Sequence, residues 1–476
     1  MQTESTGAGR KPRRDDEFVV TLERLDRKGQ GVGEIDWPPF GRFTVLVRHG
    51  QPGATLRVQV VRRRGARLDA RALEVLDPGP HAAQPRCPHF GTCGGCAFQH
   101  LSYGQQLVEL RGAVQRALAG AGVTCAVDEV IGMADPFHYR NKMEFTFGTR
   151  RWVEPGEAAD ADQGFAAGLH VPFRHDKVLD VRECHIAFEG ADRLLVSLRD
   201  AARAAGLSAW DVKDHSGLLR HVVLRNGKHT GQILVYLVTS DQEGVQAIPE
   251  FARTWCAAHP EVTTFVHGVN TRPASVAIGE VDHVLVGPGS IEERLLDQTF
   301  RIRPTSFFQT NTLAAENLLR VVREEVGESP GRRVLDLYCG TGILGLCVTP
   351  AGGELLGLEQ VSSSVADARE NARQRPDVQA TFLEGDVLET LPNWAGPPPD
   401  VLIVDPPRAG LHPKVLPLID GLGSQRLVYV SCNVDKGAAD VAVLAALGWE
   451  LVRVRPLDLF PHTPHVECVL TLERRR

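Results

Sequence analysis

Five apolar runs in the last third of the chain each end in a polar residue and a loop-forming stretch. The runs are VLDLYCGTG, LLGLEQ, FLEGDV, VLIVDPPR and LVYVSCN. Their composition and length predict buried strands, and the helical patterns between them predict crossover helices. Strands that alternate with helices form a parallel sheet, whose carboxyl-end edge is where ligands bind. We therefore expect an α/β domain over residues 301–476 with its chemistry at that edge.

Four of these strands carry an acidic side chain at or near their ends. These are Asp336, Glu359, Asp386 and Asp405. Gly340 and Gly342 let the backbone approach a ligand, and the two prolines after Asp405 end that strand at the edge. Four acids followed by loops are difficult to explain by packing alone. A dinucleotide-binding domain is the competing interpretation, and it is weakened because the G-x-G-x-x-G motif is not completed.

Cys432 follows the last of these runs. A lone cysteine beside a strand is more often a small buried hydrophobic residue than a nucleophile, so its position alone leaves both interpretations open. A nucleophilic cysteine acts as the thiolate, and an ordinary thiol is only a few per cent ionised at neutral pH. The sequence does not identify the group that would favour the anion.

The amino-terminal part of the chain has a different pattern. After a charged lead-in over residues 1–16, five short β-like runs separated by glycine turns extend to Leu76. This pattern predicts a small closed barrel of the OB type, over residues 15–78, which commonly binds oligonucleotides. Residues 1–75 hold 15 Lys and Arg against 10 Asp and Glu, whereas the remainder holds 38 against 49. Arginines cluster in the predicted last turn, at Arg62, Arg63, Arg64 and Arg67. They suit phosphate contacts, and a solvated basic surface is the equal alternative.

The chain has ten cysteines, and in the reducing compartment that we expect for it they point to metal ligands, nucleophiles or core residues rather than disulfides. Cys87, Cys93 and Cys96 form a glycine-rich C-x5-C-x2-C run, and three such thiols need a fourth ligand. The candidates are Cys125 and Cys184. Four thiolates suit either zinc or an iron–sulfur cluster.

The middle of the chain, residues 79–300, mixes strand-like and helical runs and predicts a central α+β substrate-binding region. Its stretch PFHYRNKMEFTFG combines aromatic residues with Arg140 and Lys142. Rings interleaved with cations suit an unpaired base, and an ordinary strand with mixed side chains is the alternative. No long apolar stretch interrupts the chain, and its first ten residues, MQTESTGAGR, are polar. We expect a cytoplasmic monomer without membrane contact.

Five ordered motifs carry a resemblance to a known family. SFFQTN, DLYCGTG, DPPR, VSCN and PHTPHVECV match, in this order, those of the RNA 5-methyluridine methyltransferases, which the chain resembles over nearly its whole length. The resemblance implies a Rossmann-like domain that binds S-adenosylmethionine through Gln309, Tyr338, Glu359 and Asp405. We expect Asp386 to lie beside the adenine. Cys432 would then be the nucleophile and Glu467 the base.

The chemistry of uracil is consistent with these two roles. Carbon 5 is a poor nucleophile, and addition of a thiolate to carbon 6 gives an enolate with electron density at carbon 5. After methyl transfer a carboxylate must remove the proton left on carbon 5, so that the thiolate can leave. Because carbon 6 lies inside a stacked helix, the target uridine must be unpaired or flipped out.

Further likenesses narrow the expected branch of the family. The stretch RLDRKGQGVGEID resembles the TRAM domain, an RNA-binding barrel, and the run Tyr139 to Lys142 matches a recurrent Tyr-Arg-Asn-Lys motif. The cysteine spacing, with Cys184 as fourth ligand, resembles a four-iron four-sulfur site. Together these features are similar to the branch that modifies 23S ribosomal RNA, although some members with both act on transfer RNA.

Two other classes of function remain as alternatives. A methyltransferase that acts on DNA bases or protein through Asp-Pro-Pro would need neither Cys432 nor Glu467. A non-catalytic RNA-binding assembly factor would keep the fold without turnover. The chain also departs from the family just after the cysteine, where Val434, Lys436 and Ala439 replace the usual proline, threonine and arginine.

Overall fold

The computed structural model describes residues 9–154, 156–158, 162–394 and 396–475. By internal packing the chain divides into two compact units. The first comprises the chain up to Gly91 together with Gly95–Arg116 and Phe460–His465, and the second comprises Thr92–Gly94, Ala117–Leu459 and the chain from Val466 onward. Both large sheets belong to the second unit. This division does not test the predicted domain boundaries at residues 79 and 301, which stay predictions.

The first unit contains a closed five-stranded barrel. Its strands are β1 Glu17–Leu25, β2 Gly31–Asp36, β3 Arg42–Val47, β4 Thr55–Arg64 and β5 Arg67–Asp77. They follow the order β1-β2-β3-β5-β4, and pairing of β1 with β4 closes the barrel. Alternate side chains such as Val20, Val45 and Val58 fill its interior. The predicted barrel is confirmed. Arg62, Arg63 and Arg64 end β4 and Arg67 begins β5, so these exposed arginines flank the turn in which they were predicted to lie.

The second unit contains a mixed eight-stranded sheet. Its strands are β6 Lys142–Gly148, β7 Arg151–Trp152, β8 Ala166–Val171, β9 Arg174–Asp180, β10 Leu219–Asn226, β11 Ile233–Thr239, β12 Thr264–Val269 and β13 Val281–Val286. Their order is β13-β12-β11-β10-β6-β8-β9-β7. Helices α2 Ala191–Ala204 and α3 Ile248–Ala257 pack into the same apolar core as the sheet. Helix α1, Tyr103–Gly120, precedes the sheet in the chain.

The aromatic stretch around β6 is largely part of a core. The rings of Tyr139, Phe145 and Phe147 are buried, the last two completely. They are therefore not available to stack on an RNA base, and the expectation of a base-stacking surface is wrong for these three rings. The alternation of rings and polar residues fits both one buried face of a strand and a binding surface, so the sequence alone did not decide between them.

The carboxyl-terminal part folds as the predicted α/β domain. A hairpin of β14 Ile291–Leu295 and β15 Gln298–Ile302 leads into it. The strands are β16 Arg333–Leu337, β17 Glu354–Glu359, β18 Gln379–Glu384, β19 Val401–Val404, β20 Arg426–Ser431, β21 Trp449–Leu457 and β22 Glu467–Arg474. The helices are α4 Thr312–Val326, α5 Ile343–Val348, α6 Ser362–Ala372, α7 Val387–Thr390, α8 Val415–Gly421 and α9 Val434–Ala446.

The strand order of this sheet is β18-β17-β16-β19-β20-β22-β21. Strands β16 to β20 are parallel, as predicted, and β22 is antiparallel to both β20 and β21. All four residues of β19 are buried, as in a strand covered on both faces. Within the described residues, no helix has the length and apolar character needed to span a membrane.

Candidate active site

The ends of three adjacent strands bring predicted site residues to one edge. Leu337 of β16 is level with Leu358 of β17 and with Val404 of β19. One residue further along each parallel strand stand Tyr338, Glu359 and Asp405. These three predicted residues therefore share the carboxyl edge of the sheet.

The glycine loop after β16 is fixed to the end of β17. Gly340 N donates to Glu359 Oε2 at 3.0 Å, and Val361 N donates to Glu359 Oε1 at 2.8 Å. A Cβ at Gly342 would lie 2.8 Å from the ring of Phe382, so only glycine allows this close approach. The carboxylate of Glu359 is thus held at a defined place beside the loop.

Tyr338 has an unusual backbone conformation. Its φ of 64° lies in the left-handed region, which a non-glycine residue occupies only at a cost of about 1–3 kcal/mol. Burial raises the pKa of its phenol to about 12, so the hydroxyl stays protonated at neutral pH. Tyr338 is half-buried and directly precedes the glycine loop, so the strained residue lies at the carboxyl edge of the sheet.

Asp386 lies at the edge one strand further out, beyond β18. It is the N-cap of α7, where its Oδ1 accepts from Leu388 N at 2.7 Å. The sequence indicated a ligand-binding acid here, and the structure adds this local capping role. The second carboxylate oxygen retains the capacity for a ligand hydrogen bond.

Gln309 lies in the segment between β15 and α4. Asn141 Nδ2 donates to the Gln309 main-chain oxygen at 2.9 Å, and Asn141 N donates to the oxygen of Thr310 at 2.8 Å. The Gln309 side chain is half-buried. Asn141 of the Tyr-Arg-Asn-Lys motif therefore supports the backbone that carries Gln309, and the expected contact of Arg140 and Lys142 with RNA stays a prediction.

The antiparallel register of β20 and β22 pairs the nucleophile candidate with the base candidate. Ser431 is level with Cys468, so one further step along the two strands places Cys432 opposite Glu467. Cys432 is half-buried, whereas Glu467 is only 3% exposed. Asp405 stands at the end of β19, which lies on the other side of β20. A thiol and two carboxyl groups therefore meet where three neighbouring strands end.

Burial and mutual repulsion shift the titration of this group. Burial raises the pKa of Glu467 well above its usual range, and the charge of Asp405 adds to the rise while Arg408 opposes it. Burial also raises the pKa of Asp405. The pKa of the Cys432 thiol is raised by burial and by both carboxylates, with Arg408 acting in the opposite direction. Arg408 thus favours the thiolate, a contribution that the sequence did not identify.

The loop that carries Arg408 is held by α9. Asn433 Nδ2 donates to the Arg408 main-chain oxygen at 3.0 Å. Asp440 Oδ2 accepts from Leu411 N at 2.9 Å and from the Tyr429 hydroxyl at 2.7 Å. These bonds join the ends of β19 and β20, so that the Asp-Pro-Pro-Arg loop stays beside the cysteine.

The residues that depart from the family pattern lie in the first turns of α9. Val434 is the first helical residue, and the side chains of Lys436 and Ala439 are exposed. The replacements therefore do not interrupt the helix, which begins two residues after Cys432. A helix amino terminus favours an anion, and it supplies a second influence toward the thiolate.

Asp336 lies deeper in the same domain, where it is fully buried. Its Oδ2 accepts from Gly345 N at 3.0 Å, and its Oδ1 has no hydrogen-bond partner among the described residues. Burial raises its pKa to about 8, with a further rise from the charges of Asp405 and Glu359. The folded protein without ligands therefore holds a proton on Asp336 at neutral pH.

This proton makes stability depend on pH. An unfolded aspartate ionises near pH 4, so folding becomes less favourable as pH rises from about 4 to about 8. We expect the melting temperature of the ligand-free wild type, relative to that of Asp336→Asn, to be lower at pH 8 than at pH 5 by several degrees. Differential scanning calorimetry at pH 5 and pH 8 measures it, with the exposed Asp297→Asn as control. Parallel curves for wild type and Asp336→Asn would show that Asp336 is not protonated.

The cysteines of the predicted metal site are all half-buried. Cys87 and Cys96 belong to the first unit, and Cys93 and Cys184 to the second. Gln99 joins the two in the first unit, because its Oε1 accepts from Cys87 N at 3.0 Å and its Nε2 donates to Cys96 Sγ at 3.3 Å. In the part of the chain that the structure describes, no three Cys, His, Asp or Glu side chains are gathered to hold a metal ion. The metal site stays a prediction.

Comparisons with known proteins identify the family to which the chain is similar. The family model described as tRNA (Uracil-5-)-methyltransferase matches residues 399–475, and one described as Methyltransferase small domain matches residues 307–414. An uncharacterised RNA methyltransferase of Chlorobaculum tepidum is 39% identical over 89% of this chain and 90% of its own length. Another, of Caldanaerobacter subterraneus, is 34% identical over 96% of this chain and 98% of its own.

A solved structure extends the likeness to the whole fold. The Pyrococcus abyssi tRNA (uracil-54, C5)-methyltransferase, in complex with S-adenosyl-L-homocysteine, matches 95% of this chain and 100% of its own with a TM-score of 0.75 and 28% identity. The chain belongs to the RNA (uracil-5-)-methyltransferase family. It is an enzyme of the α/β methyltransferase fold that uses S-adenosylmethionine to methylate uracil in RNA.

Proposed function

We propose that this methyltransferase modifies carbon 5 of a uridine in 23S ribosomal RNA through a covalent bond between Cys432 Sγ and carbon 6. The observation that carries the proposal is the pairing of Cys432 with Glu467 at the ends of β20 and β22, beside Asp405. A direct transfer to an amine would need neither the thiol nor the buried base. This pairing therefore favours covalent catalysis over the alternative use of the Asp-Pro-Pro loop.

The reaction begins when the thiolate of Cys432 adds to carbon 6 and the electron pair of the 5,6 double bond moves into the ring as an enolate. Carbon 5 then takes the methyl group from the sulfonium of S-adenosylmethionine, and S-adenosylhomocysteine leaves as a neutral thioether. Glu467 removes the proton that remains on carbon 5. The electron pair of that bond restores the double bond and expels the Cys432 thiolate.

The surroundings of Glu467 suit the last step. Its raised pKa makes the carboxylate a stronger base than an exposed glutamate, because a buried carboxylate gains more from accepting a proton. Burial at 3% exposure also keeps water away from the proton acceptor. Within this proposal, Arg408 balances the negative charge while both the thiolate and the carboxylate are present.

The methyl donor would bind at the edge formed by β16, β17 and β18. Glu359 suits the ribose hydroxyls, and Asp386 would lie beside the adenine. Tyr338 and Gln309 would contact the remainder of the cofactor, and Asp405 stands between this edge and Cys432. A carboxylate near the sulfonium also favours its positive charge.

The RNA would be held by surfaces outside the catalytic group. The exposed arginines at the end of β4 and the start of β5 of the TRAM-like barrel suit phosphate contacts. The target uridine must leave its stack to expose carbon 6, since a thiol cannot reach that atom inside a helix. Transfer RNA is the second candidate substrate, because the structural neighbour from Pyrococcus abyssi is named as a tRNA methyltransferase.

The substrate can be tested directly. Purified enzyme is incubated with labelled S-adenosylmethionine and either 23S ribosomal RNA or bulk transfer RNA, each lacking 5-methyluridine, and the modified nucleotide is mapped. We expect label at carbon 5 of uridine in 23S RNA. Label in transfer RNA alone would move the proposal to the second candidate. Absence of label in both would favour a non-catalytic RNA-binding protein.

For the cysteine site, we propose a four-iron four-sulfur cluster held by Cys87, Cys93, Cys96 and Cys184. The support is the donor set, since four half-buried thiols suit iron and sulfide, and the side-chain amide of Gln99 donates a hydrogen bond to one of them, Cys96 Sγ. We place the enzyme in the cytoplasm, where thiols stay reduced, and expect a monomer by light scattering.

The metal content of the purified protein distinguishes the proposed iron–sulfur cluster from zinc, the alternative at this site. Protein purified without oxygen should be brown and carry about four iron and four sulfide per chain, as four thiolates bind one such cluster. Replacement of Cys87 by serine should abolish the colour, whereas replacement of Cys125, the other candidate ligand, should not. Colourless protein with one zinc per chain would overturn the iron–sulfur proposal.

A further inference from the structure

The segment that carries Gln309 depends on side chains from outside the α/β domain. It runs from the end of β15 at Ile302 to the start of α4 at Thr312, and it has no regular secondary structure of its own. A loop without ladder hydrogen bonds needs other partners for its backbone groups. Two buried side chains of the central sheet region supply partners: Arg225 Nη2 donates to the Ser306 main-chain oxygen at 2.5 Å, and Asn141 contacts the stretch at Gln309.

Asn141 precedes β6 of the eight-stranded sheet and is 5% exposed. Its Nδ2 donates to the Gln309 main-chain oxygen and to Thr312 Oγ1, both at 2.9 Å, and its own N–H donates to Thr310. Its main-chain oxygen accepts from Asn226 N at 2.8 Å. One residue thus fixes two successive peptide groups, Gln309–Thr310 and Thr310–Asn311, and ties them to the end of β10.

Thr312 continues the network to a fully buried acid. Its hydroxyl donates to Glu293 Oε2 at 2.8 Å. Glu293, on β14, has no exposed surface and also accepts from the main-chain N–H groups of Lys228, His229 and Arg294. Four donors therefore satisfy this carboxyl group, and the first two of the N–H groups belong to the turn between β10 and β11. The hydroxyl of Thr312 is the link between this turn and Asn141.

We propose that Asn141 and Thr312 are positioning residues that set the affinity for S-adenosylmethionine by fixing the backbone of Gln309. The inference rests on the proposed role of Gln309 in binding the methyl donor. It assigns to the eight-stranded sheet a function in cofactor binding, in addition to any contact with RNA. Neither side chain touches the reacting atoms, so both act only through Gln309.

Thr312→Val tests the link with little change of shape. Valine keeps the volume and the branched Cβ but loses the hydroxyl, so Asn141 Nδ2 and Glu293 Oε2 each lose one partner. We expect Kd and KM for S-adenosylmethionine to rise about tenfold, with kcat and KM for RNA changed by less than threefold. Thr312→Ser restores the hydroxyl and should return Kd to within about twofold of wild type. Asn141→Ala, which removes both side-chain bonds, should give the larger rise.

A purely structural effect is separated by a matched control. Val222→Ala removes buried methyl groups of β10 from the apolar core of the eight-stranded sheet. It should lower the melting temperature without changing Kd for S-adenosylmethionine. Equal Kd values for wild type, Thr312→Val and Asn141→Ala would overturn the inference. If Val222→Ala weakens cofactor binding as much as Thr312→Val, general destabilisation explains the effect and the inference is also overturned.

Gln309→Ala distinguishes failure of this inference from failure of the proposed cofactor site. If Gln309→Ala weakens binding of S-adenosylmethionine and Thr312→Val does not, Gln309 binds the donor without help from the network. If Gln309→Ala leaves Kd unchanged, the role of Gln309 and the inference built on it are both wrong. Equilibrium dialysis with labelled cofactor measures all five variants on the full chain.

Discussion

Cys432→Ala should abolish methylation of RNA, with a loss on the order of 10⁴-fold or more, as for other enzymes that lose a covalent nucleophile. Without the thiolate no bond to carbon 6 forms, and carbon 5 stays a poor nucleophile. The fold and the binding of S-adenosylmethionine should change little, because the half-buried Cys432 lies beyond the last residue of β20. Single-turnover transfer of labelled methyl to RNA measures the loss, and equilibrium dialysis measures cofactor affinity.

Cys347→Ala is the matched control for this change. Cys347 is a buried cysteine on α5, with 1% exposure, and it lies outside the proposed catalytic group. Its replacement should leave the rate of methyl transfer within about twofold of wild type. Full activity in Cys432→Ala would exclude the covalent route and would favour direct transfer to an amine by the Asp-Pro-Pro loop.

Glu467→Gln should stop the reaction after methyl transfer. Glutamine keeps the size of the side chain and cannot remove the proton on carbon 5, so elimination of the cysteine fails. We expect turnover to fall by about 10²–10⁴-fold, the usual contribution of a general base. We also expect a methylated RNA–protein adduct to accumulate, visible as a slow band on a denaturing gel that carries label from S-adenosylmethionine.

Glu473→Gln serves as the control for the base. Glu473 lies on the same strand, β22, and pairs with Arg426 at the opposite edge of the sheet. Its replacement should neither slow turnover nor trap RNA. Normal turnover in Glu467→Gln would show that another group, such as Asp405, removes the proton, whereas slow turnover without an adduct would place the role of Glu467 before the addition step.

The strand-end acids could be predicted from sequence because the evidence is local. Each apolar run that ends in an acid, as at Glu359 and Asp405, marks both the strand and its edge within a few residues. The parallel arrangement follows from the helices that alternate with the strands, whereas the strand order, in which β19 returns beside β16, is not fixed by that pattern. The five barrel strands were predictable for the same reason, since glycine turns separate them in the sequence.

The pairing of Cys432 with Glu467 could not be derived from residue patterns alone. It depends on β22 returning antiparallel between β20 and β21, which brings together residues from separate parts of the chain. Only the resemblance to the family suggested Glu467. The support of Gln309 by Asn141 could not be predicted either, because it joins segments that are distant in sequence. Nothing in a Tyr-Arg-Asn-Lys run indicates which loop the asparagine will contact.

Burial explains the wrong expectation for the aromatic stretch. Rings alternating with polar residues are compatible with a binding surface and with one face of a core strand. The decision depends on whether helices cover that face, as α2 and α3 do over Phe145 and Phe147. The altered residues after Cys432, Val434 and Ala439, depart from the family motif and belong to a regular helix, α9, which begins two residues after the cysteine.

The covalent step is tested most directly by mass spectrometry of the enzyme after incubation with S-adenosylmethionine and RNA that contains 5-fluorouridine. Fluorine at carbon 5 cannot leave as a proton does, so the adduct should persist. We expect one peptide, containing Cys432, to carry a methylated fluorouridine nucleotide, only when the cofactor is present. A nucleotide on any other residue, or no adduct from an enzyme that methylates normal RNA under the same conditions, would contradict catalysis by Cys432.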